Sequence, residues 1–278
     1  MRNKSFLVLA ILLSACSLKQ DHTTGWSAAQ LYEAGKSNME GGGLQASEDY
    51  YNKLLSRYPY GRIAQQAMLD LAYVQYKNAE RDKALKTLEE FIRTYPQHPY
   101  MDYALFLKGV VEYEHDVSIF DRIMPTNLAQ TDAEMMKQAF NTFATLVQNY
   151  PNSKYAEDAK YRMVFIRNLI GEHILEVANY YLRHGSYTAS ASRAKQVLAE
   201  FEQTPSAPYA LAILVRSYKE MGEEKLASDA LRVLQQNFPN MMQDKEIKTY
   251  LSGNIKKQRS FKEQVMMKPK ISMPERIQ

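Results

Sequence analysis

Small and apolar residues return along this chain at offsets of four and three, and each run closes on an aromatic residue followed by proline. In Ala84, Leu88, Phe91, Pro96 the offsets are 4, 3 and 5, and they recur in Ala139, Phe143, Leu146, Pro151 and in Ala227, Leu231, Leu234, Pro239. Ser47, Tyr51, Leu54, Pro59 repeats them with serine first, and Ala194, Leu198, Phe201, Pro205 fits with the proline one residue early. Offsets of three and four put side chains on one face of an α-helix, and proline marks where that helix must stop. Gly35, Ala72 and Val215 stand twelve residues before Ser47, Ala84 and Ala227. Each such helix therefore follows another that offers it a small or apolar contact.

A helix-turn-helix unit of this spacing matches the second half of the tetratricopeptide pattern. The expected fold is all-α, a tetratricopeptide-repeat superhelix of about five helix-turn-helix repeats with a concave face. Repeat one covers Ser27–Pro59 and turns at Gly41-Gly42-Gly43; repeat two covers Tyr60–Pro96. Repeat three, Gln97–Pro151, carries an insertion at about 116–132 without the repeat pattern, which predicts a surface loop. Ser153–His184 reads as one long helix or two abutting ones, with Gly171 as its breaker. Ser186–Pro205 completes repeat four and Ala207–Pro239 is repeat five. The resulting domain is 26–239. Beyond it, 240–278 holds nine Lys or Arg against four Asp or Glu. A helix over about Asp244–Phe261 is expected to cap the last repeat, with disorder past Met267.

The most apolar stretch is at the start. Arg2 and Lys4 precede an unbroken apolar run, Phe6–Leu13, and then Ser14, Ala15 and Cys16, the one cysteine of the chain. Eight apolar residues are too few for a bilayer-spanning helix, and the order of regions is that of a secretory signal peptide, 1–15. Leu13-Ser14-Ala15-Cys16 also resembles a bacterial lipobox. The resemblance implies cleavage before Cys16, a diacylglycerol thioether on its sulfur and an acyl group on the new amino terminus. Several chains anchor stably where one anchors marginally. By resemblance to Gram-negative sorting signals, Ser17 in place of Asp implies the inner leaflet of the outer membrane. Residues 16–25 then read as the lipidated cysteine and a polar tether.

With a single cysteine the mature chain has no disulfide framework, so packing must hold it together. The formal charge is +4, half of it in the signal, and a nearly neutral mature chain argues against a nucleic-acid binder. Catalytic chemistry is equally hard to find. Gly35-Lys36-Ser37 lacks the earlier glycine and the strand of a phosphate-binding loop. Glu112 and His115 have di-iron spacing, but no second Glu-x-x-His accompanies them. No cofactor and no metal site is expected; the job is binding. Three features could serve it: the tyrosines of the early repeats, including Tyr50, Tyr51, Tyr58, Tyr60, Tyr73 and Tyr76; the Arg183–Arg193 corner with His184, Gly185 and Tyr187; and the basic tail. Rigid aromatic area lining a groove would suit an extended peptide.

These features are joined by longer matches: Arg57-Tyr58-Pro59-Tyr60-Gly61, Leu69-Asp70-Leu71-Ala72-Tyr73, Tyr150-Pro151-Asn152-Ser153-Lys154-Tyr155 and Val177-Ala178-Asn179-Tyr180-Tyr181-Leu182-Arg183. Together with the lipobox they resemble the BamD (ComL, YfiO) family, tetratricopeptide lipoproteins of the outer-membrane β-barrel assembly machine. The match weakens in repeat five, and around Ile119–Thr131 it holds only at Asp121-Arg122.

The resemblance implies a non-enzymatic scaffold. Its partners would be the periplasmic domains of a BamA-type β-barrel subunit, accessory Bam lipoproteins, and unfolded outer-membrane proteins recognised by their aromatic-ended C-terminal segment. It places Arg193 at the BamA-type interface, and Arg183 and Tyr187 of the same corner are the further candidates for it. Tyr58, Tyr60, Tyr73 and Tyr76 are the candidates for the substrate-peptide groove. A cell-wall-associated or competence lipoprotein, binding peptidoglycan or DNA, is the alternative.

Overall fold

The computed structural model describes residues 21–113 and 128–253, with burial described from Met135 onward in the second stretch. Among the described residues there are eleven α-helices and no strand. They are α1 (Ala28–Glu40), α2 (Leu44–Arg57), α3 (Arg62–Lys77), α4 (Arg81–Thr94), α5 (Met101–Tyr113), α6 (Leu128–Asn149), α7 (Ala156–Arg183), α8 (Tyr187–Glu200), α9 (Ala207–Glu220), α10 (Glu224–Asn237) and, after a 3₁₀ turn at Pro239–Gln243, α11 (Lys245–Ser252). The signal peptide, Cys16, residues 116–127 of the insertion and the tail from residue 254 lie outside the described residues. The insertion was expected to run to about residue 132, yet α6 already starts at Leu128.

The chain divides into two compact units, Met1–Ala79 and Glu80–Gln278, at the turn inside the second repeat. In the first unit α2 packs against both α1 and α3. Its core holds Leu31, Tyr51, Leu54, Ala67 and Val74. In the second unit α4 to α10 each pack on the next, and α11 closes on α9.

The offset pattern becomes a buried stripe. Ser47, Tyr51 and Leu54, then Ala84, Leu88 and Phe91, then Ala139, Phe143 and Leu146 are all fully buried. Why the position twelve residues earlier is small is visible at Gly35, where an added Cβ would lie 2.7 Å from the Tyr51 ring. Gly109 makes the same allowance for Phe143, at 2.6 Å. A ring on one helix therefore needs a missing side chain on its neighbour. Gly35 is a packing residue in the middle of α1, far from a phosphate loop.

Repeat four corrects the expected register. Ser190 Oγ donates to the Ala178 carbonyl at 2.8 Å, as Ser47 Oγ does to the Gly35 carbonyl at 2.8 Å. The equivalent stripe is therefore Ser190, Ala194, Val197, all fully buried, while Leu198 is only half-buried. Phe201 takes the helix-ending place of Tyr58: its amide bonds the Val197 carbonyl as that of Tyr58 bonds Leu54. Alignment on Pro205 misled because in this repeat the proline is not adjacent to the aromatic. Ala156–Arg183 is one unbroken helix, and Gly171 serves contact within it: an added Cβ would meet Thr204 Oγ1 at 3.1 Å and Phe201 Cβ at 3.3 Å.

Three helical pairs turn through the same three-residue loop with a left-handed middle residue, Gly42 (φ 80°), Gly185 (φ 73°) or Gly222 (φ 76°). Between α3 and α4 that place is taken by Ala79, at φ 60°. The C-terminal cap begins on Asp244, whose carboxylate accepts from the amides of Glu246 (2.8 Å) and Ile247 (3.1 Å). It buries Ile247 and Tyr250 and reaches left-handed Gly253; the rest of the expected span, to Phe261, lies outside the described residues.

Candidate functional site

At the N-terminal edge the first described residues are not a loose tether. Asp21 accepts from Lys53 Nζ at 2.9 Å and also pairs with Arg57, which donates in addition to the Thr23 carbonyl at 2.7 Å. Thr23 donates to the same carboxylate from its hydroxyl (2.7 Å) and its amide (3.1 Å), and is fully buried. The Lys53 hydrogen bond, followed by those of Thr23, holds the Asp21 carboxyl well below the usual carboxylate range. His22 stands edge-on to Trp26, which stacks on Tyr50 with ring centres 6.0 Å apart. The Tyr58 hydroxyl donates to the Trp26 carbonyl at 2.9 Å. Residues 21–26 thus form a strap pinned across α2. The sequence carried one signal of it: Lys53 and Arg57 are like charges four apart on a helix, which repel unless an acid arrives from elsewhere.

The four candidate groove tyrosines divide into two groups. Tyr73 and Tyr76, half-buried near the end of α3, have ring centres 6.5 Å apart, and Tyr73 packs against the core of its unit. Tyr58 and Tyr60 precede the first turn of α3, about 16 Å away along its axis. Between the groups lies buried Asp70, which accepts from the hydroxyls of Tyr32 (2.8 Å) and Tyr51 (3.5 Å) and from the Gln66 amide (3.1 Å). That cluster ties α1, α2 and α3 together, so Tyr51 is a core residue. A compact ligand could not touch both groups. An extended segment of about five or six residues could.

The second candidate region is the corner between α7 and α8. The His184 ring lies on Tyr180 with centres 4.0 Å apart, and its Nδ1 is 2.8 Å from the Tyr180 carbonyl. Arg193 is exposed on α8 and donates to Gln196 Oε1 at 3.0 Å. Tyr187 stands six residues earlier, about 240° around the helix, so the two do not share a face. Arg183 is also exposed, and its charge acts on Glu246 and Tyr250 of α11. Burial raises Glu246, which accepts from the Tyr250 hydroxyl at 2.8 Å, and burial likewise raises Tyr250. Tyr209, facing Asp244 and Glu246, is pushed up to about 12, chiefly by burial. Arg183 belongs to this docking of the terminal helix, and Arg193 to the open surface.

Among the described residues, no group of three or more His, Cys, Asp or Glu could hold a metal ion, and no helix is long and apolar enough to cross a membrane. Glu112 is buried and accepts from Lys108 and from Thr142 Oγ1 (2.6 Å); His115 lies outside the described residues. The model of the YfiO family, described as outer membrane lipoprotein, matches residues 25–234. The chain belongs to the YfiO family. A relative from Neisseria gonorrhoeae, outer membrane protein assembly factor BamD, is 39% identical over 83% of this chain and 89% of its own length. The proteins of that name from Xylella fastidiosa (strain Temecula1 / ATCC 700964) and Vibrio cholerae are 34% and 33% identical, over 84% and 78% of this chain and 80% and 90% of theirs. The YfiO match starts at Gly25, inside the pinned strap, and ends at Leu234, before α11.

Proposed function

We propose that this YfiO-family chain is an outer-membrane-associated scaffold for the assembly of outer membrane proteins. The observation that carries the reading is the collinear likeness, at 39% identity across nearly the whole repeat array, to a relative named as such an assembly factor. Lipid on Cys16 anchors it to the membrane, and its work is binding rather than catalysis.

Two surfaces divide that work. Arg193 on α8 pairs with a carboxylate of a BamA-type β-barrel subunit, for which a planar fork of donors is better suited than lysine. Along α3, Tyr58 at one end and Tyr73 with Tyr76 at the other form a track for an extended, aromatic-ended segment of an unfolded outer-membrane protein.

Binding of the Arg193→Glu chain to the purified periplasmic domains of the barrel subunit tests the first surface. Loss of one partner of a desolvated charge pair weakens association at least about tenfold. The melting temperature stays where it was, because Arg193 is exposed and, among the described residues, bonds within its own helix to Gln196. Arg93→Glu, on the exposed face of α4, leaves binding unchanged. Undiminished binding by the Arg193→Glu chain removes this residue from the interface.

A further inference from the structure

The loop between α2 and α3 concentrates features that folding does not require. Tyr58, Tyr60 and Ile63 are 38%, 87% and 39% exposed, three of the nine large apolar side chains left exposed among the described residues. They fall within six consecutive positions. Exposed Arg62 opens α3, whose first turn holds no acid and whose cap, Gly61, makes no side-chain bond. The helix dipole disfavours a cation there, so Arg62 gains nothing from its own helix. From Lys53 to Leu69 there are three cations and no acid; the strap brings Asp21, a single carboxylate, to Lys53 and Arg57. Gly61 holds the loop in shape with φ 97°, a conformation that side-chain-bearing residues rarely adopt.

The strap determines what this loop can reach. Asp21 is bonded to Arg57, one residue before Tyr58, and Asp21 stands only five positions after Cys16, with four residues between them. Fully extended, five residues span at most about 18 Å. An acyl anchor at Cys16 therefore keeps Asp21, and the end of α2 bonded to it, within about 18 Å of the acylated residue, rather than at the end of a long leash. Tyrosine and arginine are side chains that settle at headgroup depth, with apolar bodies inward and polar tips in water.

We infer that the loop at 59–63 is a second membrane contact, with Tyr60 and Ile63 entering the headgroup region and Arg62, the cation of this stretch that the strap does not pair, facing anionic lipid phosphates. The inference rests on the anchor at Cys16. The two contacts together orient the first unit: one point leaves a domain free to swivel, whereas two restrict it. Tyr60 thereby serves the lipid surface, not the peptide track along α3.

Because Cys16 is the one thiol of the chain, a signal-free preparation can be coupled through it to a maleimide lipid. Coupling to vesicles of phosphatidylethanolamine and phosphatidylglycerol imposes the anchor whether or not the cell supplies it. Trp26→Phe removes the native tryptophan while keeping an aromatic ring over Tyr50, and Tyr60→Trp then reports on the loop. On such vesicles its emission shifts to the blue and is lost when the lipids carry bromine. Gln45→Trp in the same background, exposed about 18 Å away at the other end of α2, keeps its emission. Equal emission from both positions with and without brominated lipid overturns the inference. So does a response of the Tyr60→Trp chain to an aromatic-ended peptide but not to lipid, which gives the loop to the peptide. The mass of the chain's N-terminal peptide purified from cells decides the anchor separately: an unmodified Cys16 refutes the anchor reading, while the coupled vesicles still decide what the loop touches.

Discussion

Repeat one (α1 and α2) and repeat four (α7 and α8) are built on the same backbone chemistry and differ in how they divide volume. Each has a buried serine donating at 2.8 Å to a carbonyl twelve residues back, each turns on a left-handed glycine, and each ends its second helix on an aromatic residue. In repeat one the close contact pairs Gly35 with the Tyr51 ring; at the corresponding places repeat four has Ala178 and Ala194. The ending aromatics also part ways. Phe201 is buried against Gly171 of the long helix α7, whereas Tyr58 is exposed and bonds the strap. The hydrogen bonds define the repeat, and side-chain volume adapts to each site. Partner-facing character enters where an end residue is not buried.

The strongest way to break this comparison is to give repeat one the volumes of repeat four. Tyr51→Ala deletes a fully buried ring and a hydroxyl bonded to Asp70, and is expected to cost about 3–5 kcal/mol in chemical denaturation. Gly35→Ala puts a Cβ 2.7 Å from the Tyr51 ring and costs about 1–3 kcal/mol alone. Together they cost less than their sum, with a coupling of about 0.5–3 kcal/mol. Strict additivity would mean that Gly35 is not small on account of the ring.

A smaller effect separates the two serines. Ser47→Ala removes one hydroxyl bond and costs about 1 kcal/mol. Ser190→Ala costs more, up to about 3 kcal/mol, because buried Ser217 also loses the acceptor it bonds at 3.2 Å. Equal losses would show that the Ser217 contact adds nothing. The turns then offer a change of opposite sign. Ala79 sits where the other three pairs have glycine, and a left-handed conformation costs an L-residue about 1–2 kcal/mol. Ala79→Gly should raise the melting temperature, while Gly185→Ala in repeat four should lower it.

The gentlest test concerns the strap. Asp21 is depressed in the folded state, so its contribution is fully present above the ordinary carboxylate pKa of about 4. It is lost as pH falls below that range toward the lowered value. Emission of Trp26, the single tryptophan of the chain, should therefore stay constant down to about pH 4 and change only in stronger acid. Asp21→Asn should bring the released-strap signal to neutral pH, with the helices intact.

How far the chain announces its own structure varies with the range of the interaction. The stripes of repeats two and three were legible because Ala84, Leu88, Phe91 and Ala139, Phe143, Leu146 obey a local period that any packed helix must satisfy. Repeat four was misread because Pro205 is a weak ruler: a helix ends where its bonding partners run out, at Phe201, and proline can follow several residues later. The candidate tyrosines were legible as a composition but not as a site, since Tyr58 and Tyr73 lie on one short stretch of sequence yet at opposite ends of α3.

The sequence by itself determined the all-helical repeat and its family, because those follow from periodicity and motifs read in order along the chain. Only the tertiary structure decided that Asp21 answers the repulsion of Lys53 and Arg57, that Tyr51 spends its hydroxyl on Asp70, and that Arg183 acts on α11 while Arg193 stays in the open. Each of these joins residues that no short-range period relates. Whether a charged or aromatic side chain is consumed by packing or left for a partner depends on what the fold brings opposite it.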